Sequence, residues 1–276
     1  MNFKNLNNFI FDLDGTLLDS SKTINPKTLQ TINELRKQGK KFSINTGRTP
    51  LIAKKYIEEL KPDFPASFCN GAIIYDYQKN EIISKRMINS IDAKKTHDVL
   101  VKEKATFIVY TPETVFVRDF IPNGKWIGIM TDTQSKVEDQ YKANVKRMDD
   151  NFDITKEEVV KIVCIIEEVM GSLENIKKEL NNLGDCYPLQ SNGAILDIIP
   201  KNTDKGTGLL YLANNNIISL EDTCVFGDEN NDLPMFKAAK YSACMGQARD
   251  VIKDQATFVI GSNNENGIGE FLKTTI

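Results

Sequence analysis

The chain reads as an α/β protein, with a Rossmann-like parallel-sheet core into which an α+β cap domain is inserted. Three observations lead there. Short apolar runs alternate with amphipathic stretches near both ends of the sequence, each apolar run stops on a Gly or polar pair, and between Ser84 and Ser191 the pattern changes to hairpins plus helices. A length of 276 residues suits about two domains. The core is expected at 1–83 and 192–276, and the cap at 84–191.

The elements follow in order. Asn8 to Phe11 is a buried strand that ends on Asp12-Leu13-Asp14-Gly15-Thr16. After a polar loop, Asn25 caps a helix that starts on Pro26, carries Leu29, Ile32 and Leu35 on one stripe, and stops at Gly39. Lys41 to Asn45 is a second strand and ends on Thr46-Gly47-Arg48. Thr49-Pro50 then opens a helix over Leu51 to Leu60. Phe64 to Cys69 reads as a third strand, ending at Asn70-Gly71, with Ala72 to Tyr75 and Glu81 to Met87 as a hairpin or linker. Strand, helix, strand, helix in succession predicts a parallel sheet, whose ligands bind beyond the carboxyl ends of the strands. Asp12, Asp14, Thr46 and Asn70 all fall at such ends.

The middle of the chain offers a helix over Ser90 to Lys104, a hairpin of Thr106 to Tyr110 with Thr114 to Arg118, a strand over Val159 to Glu167 and an amphipathic helix over Met170 to Leu183. The core pattern resumes with a strand over Ala194 to Ile199, a helix from Lys205 to Asn214 and a buried strand, Thr223 to Phe226. That last strand ends on Gly227-Asp228-Glu229-Asn230-Asn231-Asp232, where Pro234 helps start another helix. Taken alone, this run also reads as a well-made turn and cap.

Composition narrows the function classes. The hydrophobic share is 41%, the charged share 26% and the formal net charge -3, which is ordinary for a globular protein and leaves no basic footprint for nucleic acid or an anionic membrane. With neither a cleavable leader nor a membrane-length apolar run, the expectation is a cytoplasmic protein, monomeric or weakly dimeric. Five scattered cysteines without a C-x-x-C pair read as reduced, buried thiols. The single histidine, His97, reads as a surface residue, so proton transfer falls to carboxylates.

Asp12 and Asp14 lie two apart and are expected on one side of an extended chain, where like charges repel unless a cation or proton lies between them. A calcium loop is ruled out, because a strand precedes the motif and Thr23 stands where the closing Glu must be. Asp12, Asp14 and Asp228 instead offer hard oxygen ligands to one Mg2+, which keeps sites that a substrate phosphate can fill. The Thr46 hydroxyl, the Gly47 N–H and Lys205 at a helix N-terminus are suited to phosphoryl oxygens. One aspartate attacks phosphorus in this reading, while its neighbour protonates the leaving oxygen and then activates water.

These four segments, Phe11 to Leu17, Asn45 to Arg48, Lys205-Gly206 and Gly227 to Asp232, resemble the ordered motifs of the haloacid dehalogenase superfamily of phosphohydrolases. The tail, Met245 to Ala248 and Asn266 to Ile268, is similar to its Cof-type, subfamily IIB branch. The resemblance implies Asp12 as nucleophile, Asp14 as acid/base, and a substrate-binding set of Leu13, Thr46, Gly47, Arg48, Lys205 and Asn231. It also implies Mg2+ held by Asp12, the Asp14 carbonyl and Asp228, with Asp232 acting through water or by orienting Lys205. The stretch between Thr46 and Lys205 is far longer than one crossover needs, so the cap follows the second motif, as in the branch acting on sugar phosphates. Such a cap is expected to exclude water and select substrate. Phe120, Trp126 and Tyr141 within it read as core or surface residues.

The expected function is therefore a Mg2+-dependent phosphatase for small phosphorylated metabolites, with a sugar phosphate as substrate. Two alternatives stay open: a phosphomutase or phosphotransferase using the same aspartyl-phosphate, and a metabolite-binding protein without turnover.

Overall fold

Strand β1 (Asn8–Phe11) is flanked on both sides by parallel neighbours, β2 (Lys41–Ile44) and β12 (Thr223–Gly227), with Phe11 level with Ile44 and Phe226. The computed structural model describes residues 5–121, 124–126, 128, 137–190 and 193–275. Outward from β12 the sheet continues in parallel with β13 (Tyr241–Cys244) and β14 (Phe258–Val259), giving the order β14-β13-β12-β1-β2. The chain leaves β1 toward β2 on one side and returns much later beside it as β12. The carboxyl ends of β1 and β12 therefore border a topological switch point, where open α/β sheets form their ligand crevice.

The unbroken apolar runs of these strands follow from burial on both faces. On one face the rings of Phe9 and Phe42 stack at 5.2 Å, and those of Phe11 and Phe226 tilt together at 4.8 Å. On the other, Ile10 and Val225 pack with Leu209, Leu212 and Met235. The helices supply these partners. Helix α1 (Pro26–Arg36) is capped by Asn25, whose side chain accepts from Lys27 N at 2.9 Å, and it buries Ile32 and Leu35. Helix α2 covers Pro50–Leu60.

The third strand departs from expectation. Strand β3 (Ala66–Phe68) pairs antiparallel with β4 (Ile73–Asp76), and β5 (Glu81–Lys85) completes a three-stranded sheet. A bridge of Ser67 with Asn45, and the Thr46 N to Ser67 O bond of 2.9 Å, tie β3 to the end of β2.

Two units partition the chain: Met1–Arg48, Tyr56–Ser84 and Thr203–Ile276 form one, and Thr49–Lys55 with Lys85–Asn202 the other. In the second unit, helix α3 (Ser90–Lys102) precedes β6 (Ala105–Tyr110), β7 (Val115–Arg118), β8 (Val145–Arg147) and β9 (Lys161–Val169). Helix α4 (Leu173–Leu180), β10 (Cys186–Gln190) and β11 (Ile195–Pro200) complete it, with strand order β10-β11-β9-β6-β7-β8. Phe107, Val109, Ile162, Cys164, Leu196 and Ile198 share one buried cluster with Leu100 of α3 and Ile176 of α4.

Two expectations are corrected here. The strand at 194–199, read as the return of the core, pairs antiparallel with β9 and β10 and belongs to the second unit. Its apolar residues lie on both faces, so its hydropathy matches that of a buried parallel strand. His97 is not a surface residue. Its side chain is 16% exposed and its ring meets Phe107 edge-on at 5.6 Å, because the apolar face of α3 is wide enough to take in the imidazole. Burial holds it below the usual histidine range, against the Asp98 carboxylate, which raises it.

All five cysteines are buried, outside any disulfide. Phe120 packs against the α3 cluster, while Trp126 and Tyr141 are half-buried. Among the described residues no helix is long and apolar enough to cross a membrane.

Candidate active site

Asp12 is the first residue beyond β1, and its N–H donates to Phe226 O of β12 at 2.9 Å. The next turn folds back on it: Leu17 N donates to Asp12 O at 3.1 Å and Leu18 N to Leu13 O at 2.8 Å. Gly15 makes this possible, with φ +77° and a Cα so near the second acidic loop that a Cβ would stand 2.2 Å from Asp228 Oδ2. Thr16 Oγ1 donates to Asp228 Oδ1 at 3.1 Å, and Gln247 Nε2 donates to Gly15 O at 2.6 Å.

Lys205 opens helix α5 (Lys205–Asn214), whose cap is built from both directions: Asp204 Oδ1 accepts from Thr207 N, and Thr207 Oγ1 accepts from Asp204 N. Asn45 Nδ2 at the end of β2 donates to Lys205 O at 2.7 Å and fixes that first turn. The ammonium is 1% exposed and reaches Asp12 Oδ1 at 2.7 Å and Asp232 Oδ1 at 2.5 Å. Burial works against its charge, but the two carboxylates outweigh it and hold the ammonium above its usual range.

Asp232 precedes helix α6 (Leu233–Ala238), and its other oxygen accepts from Asp228 N at 2.9 Å and Glu229 N at 3.0 Å. With both oxygens occupied, Asp232 orients Lys205 and shapes the loop after β12. The remaining helices of this unit, α7 (Asp250–Lys253) and α8 (Gly267–Lys273), lie further along the chain.

Asp12, Asp228 and Asp232 bring one carboxylate oxygen each within 4.8 Å of one another. Lys205 supplies one positive charge against these three. Burial, helped by the neighbouring carboxylates, pushes Asp12 up to about 7, and burial with Asp12 and Asp232 pushes Asp228 up to about 8. Such a surplus of crowded negative charge calls for a cation or for protons. The donors are hard oxygens, and Asp228 is partly open, so the set fits a divalent cation of the Mg2+ kind.

The side chain of Asp14 is not in that group, although the two-residue spacing led us to expect it beside Asp12. The strand ends at Phe11, so the same-face rule lapses and the turn directs Asp14 elsewhere. Arg48 grips it with two nitrogens, Nε to Oδ2 at 2.6 Å and Nη2 to Oδ1 at 2.7 Å, and Lys22 Nζ reaches Oδ1 at 2.7 Å. Burial alone would raise the carboxyl, but Arg48 and then Lys22 overcome it and hold it well below the usual carboxylate range. Arg48 is itself stacked over the Tyr56 ring at 5.0 Å.

Thr46, 1% exposed, accepts from Arg48 N through Oγ1 at 3.3 Å, and its carbonyl accepts from Asn70 N at 3.1 Å. Gly47 lies against Asn70, whose Oδ1 accepts from Asn231 Nδ2 at 3.2 Å. The loops after β2, β3 and β12 are thus joined. The Leu13 side chain, expected in the substrate-binding set, is fully buried in the core, so its backbone is what it can offer a ligand. Sequence reasoning did not find Lys22 or Tyr56, and it placed Asn45 and Gln247 in matching segments without giving either a role. The contacts each makes depend on how the loops fold and not on the local pattern.

The sequence model of a family described as haloacid dehalogenase-like hydrolase matches residues 9–272. A putative phosphatase of Mycoplasma pneumoniae is 31% identical over 273 residues, covering 96% of each chain. A 5-amino-6-(5-phospho-D-ribitylamino)uracil phosphatase of Bacillus subtilis is 28% identical over 284 residues, covering 95% of each. In fold, a haloacid dehalogenase-like hydrolase from Bacteroides thetaiotaomicron superposes with a TM-score of 0.82 at 20% identity, covering 98% of this chain and all of that one.

Proposed function

We propose that this chain, which belongs to the haloacid dehalogenase-like hydrolase family and is a phosphoric monoester hydrolase of that family, dephosphorylates small metabolites through an aspartyl-phosphate on Asp12. Sugar phosphates and related polyol phosphates are the substrates this reading favours. The Bacillus relative is named for removing phosphate from a ribityl group, which is a polyol phosphate ester.

The observation that carries the mechanism is the placing of Asp12. One of its oxygens is pinned by Lys205 Nζ at 2.7 Å, which sets the direction of the other at the strand end. In the first step an Asp12 oxygen bonds to phosphorus and the ester oxygen leaves, taking a proton. Asp14, on the adjoining turn, is the side chain for that proton and for the one later withdrawn from water. Arg48 and Lys22 hold it ionised, so its donation to the leaving oxygen requires that substrate draw these cations off it. In the second step the water oxygen bonds to phosphorus, the Asp12–phosphorus bond breaks, and inorganic phosphate departs. Lys205, the Thr46 hydroxyl and the Gly47 N–H offer donors to the phosphoryl oxygens, with Asn231 beside them. Asp12 and Asp228, with the Asp14 carbonyl, would hold Mg2+, which would supply charge neutralisation for the transferring group. Asp232 keeps Lys205 in place.

The test is phosphate release from a panel of sugar phosphates, nucleotides, pyridoxal phosphate and flavin mononucleotide, with and without Mg2+. Metal-dependent release that is lost in Asp12→Asn is expected. No release, but phosphoryl transfer to an added alcohol or sugar, would replace the hydrolase with a phosphotransferase.

A further inference from the structure

Asp14 is held by two cations from different loops. Arg48, after β2, takes both carboxylate oxygens, and Lys22, in the loop between β1 and α1, adds a third contact on Oδ1 at 2.7 Å. The Lys22 side chain is 52% exposed, so solvent has access to it beside Asp14.

The backbone under Lys22 is built to deliver it. Lys22 has φ 58°, in the left-handed region that a residue with a long side chain rarely adopts without support. That support is dense. Asp19 Oδ1 accepts from Ser21 N and Thr23 N at 2.9 Å each, Asp19 Oδ2 accepts from Thr23 Oγ1 at 2.8 Å, and Asp19 O accepts from Lys22 N at 3.0 Å. Asp19 N returns a bond to Thr23 O at 3.0 Å, and Tyr56 Oη donates to Lys22 O at 3.1 Å. Tyr56 also lies under the Arg48 guanidinium, so one aromatic residue braces both cations that hold Asp14. A costly backbone conformation maintained beside reacting groups points to function.

We infer that Lys22 is a positioning residue for the second half of the reaction, fixing Asp14 as the carboxylate that takes a proton from the attacking water. The inference rests on the phosphatase reading above. In the step concerned, the water oxygen bonds to the phosphorus carried by Asp12, the water proton passes to Asp14, and the phosphorus–Asp12 bond breaks with its electron pair returning to Asp12. Forming the phospho-enzyme from an aryl ester needs no such help, because nitrophenolate leaves without a proton. With an aryl ester Lys22 therefore acts on the one half-reaction and not on the other.

The experiment uses p-nitrophenyl phosphate with Mg2+, in steady state and by stopped flow, on wild type, Lys22→Asn and Lys22→Arg. Asparagine tolerates the left-handed backbone and lacks the cation, so it separates the two roles of the position. For Lys22→Asn we expect kcat to fall about tenfold, kcat/KM to stay within about twofold, and a nitrophenolate burst of about one equivalent of enzyme to appear. Lys22→Arg restores most of kcat. A raised KM at unchanged kcat would make Lys22 a substrate-binding residue and overturn the inference. Equal losses in kcat and kcat/KM without a burst, or no change at all, would overturn it too. An inactive wild type overturns the phosphatase reading and this inference with it, whereas an active wild type with an unaffected variant overturns this inference alone.

Discussion

Lys205 Nζ and Asp12 Oδ1 lie 2.7 Å apart although the residues are 193 positions apart in the chain, and both side chains are shut away from solvent. The pairing leaves Asp12 its other oxygen and, in the mechanism proposed above, would set a fixed positive charge beside the reacting phosphoryl group. Asp12→Asn keeps the size and a hydrogen-bonding group, and Lys205 keeps Asp232. The variant should stay folded, with its melting temperature within a few degrees of wild type, while phosphate release drops by at least about 10^4-fold. Circular dichroism and a phosphate assay on the same preparation check both halves. An active Asp12→Asn protein would remove the nucleophile assignment.

Asp232 is expected to matter first for stability. Asp232→Ala strips Lys205 of one partner and leaves the Asp228 and Glu229 amides without their acceptor. Breaking a buried pair of this kind costs about 3–5 kcal/mol. Urea denaturation of wild type and variant measures it; a loss below about 1 kcal/mol would mean that solvent reaches the ammonium.

The raised carboxyls predict a pH dependence. Asp12 stands at about 7 and Asp228 at about 8, against an ordinary value of 3.8. A carboxyl with a raised folded-state pKa binds its proton more tightly folded than unfolded. Its stabilising contribution is therefore complete below the unfolded pKa and is lost as pH rises through the folded one. Metal-free protein should lose thermal stability progressively between about pH 4 and about pH 8, and Mg2+ should stabilise most at the upper end. Calorimetry of Mg2+ binding in buffers of different ionisation enthalpy should show protons released near neutral pH.

Gly15 sets the distance between the two acidic loops. Gly15→Ala places a Cβ against the Asp228 carboxylate in a left-handed conformation that disfavours any side chain. The expected cost is about 1–3 kcal/mol in stability, with weaker Mg2+ binding. Thermal melts with and without Mg2+ separate the two effects. A variant with wild-type metal affinity would show that the loops can part without loss.

Much of the first unit was legible in the sequence. Strand ends and helix starts are local matters: the run before Asp12, the Asn25-Pro26 start of α1 and the Gly227-Asp228 stop after β12 are decided by a few neighbouring residues. The motifs at those ends could therefore be put on one sheet edge before any contact was known. Where the signal was equally local but ambiguous, the reading slipped. The apolar Ile195–Pro200 run does not reveal whether its neighbours are parallel or antiparallel, and His97 gave no sign that α3 would carry it to Phe107.

By itself the sequence determined the alternating elements, the aspartates at the strand ends and the lysine at a helix start, because these depend on chain geometry over a turn or two. Only the tertiary structure decided that β12 lies beside β1, that Lys205 joins Asp12 to Asp232, and that Asp14 turns from the acidic cluster to Arg48 and Lys22. Ion pairs form through space between groups that strand order and loop shape bring together. A charge pattern along the chain names the candidates but does not choose the pairs.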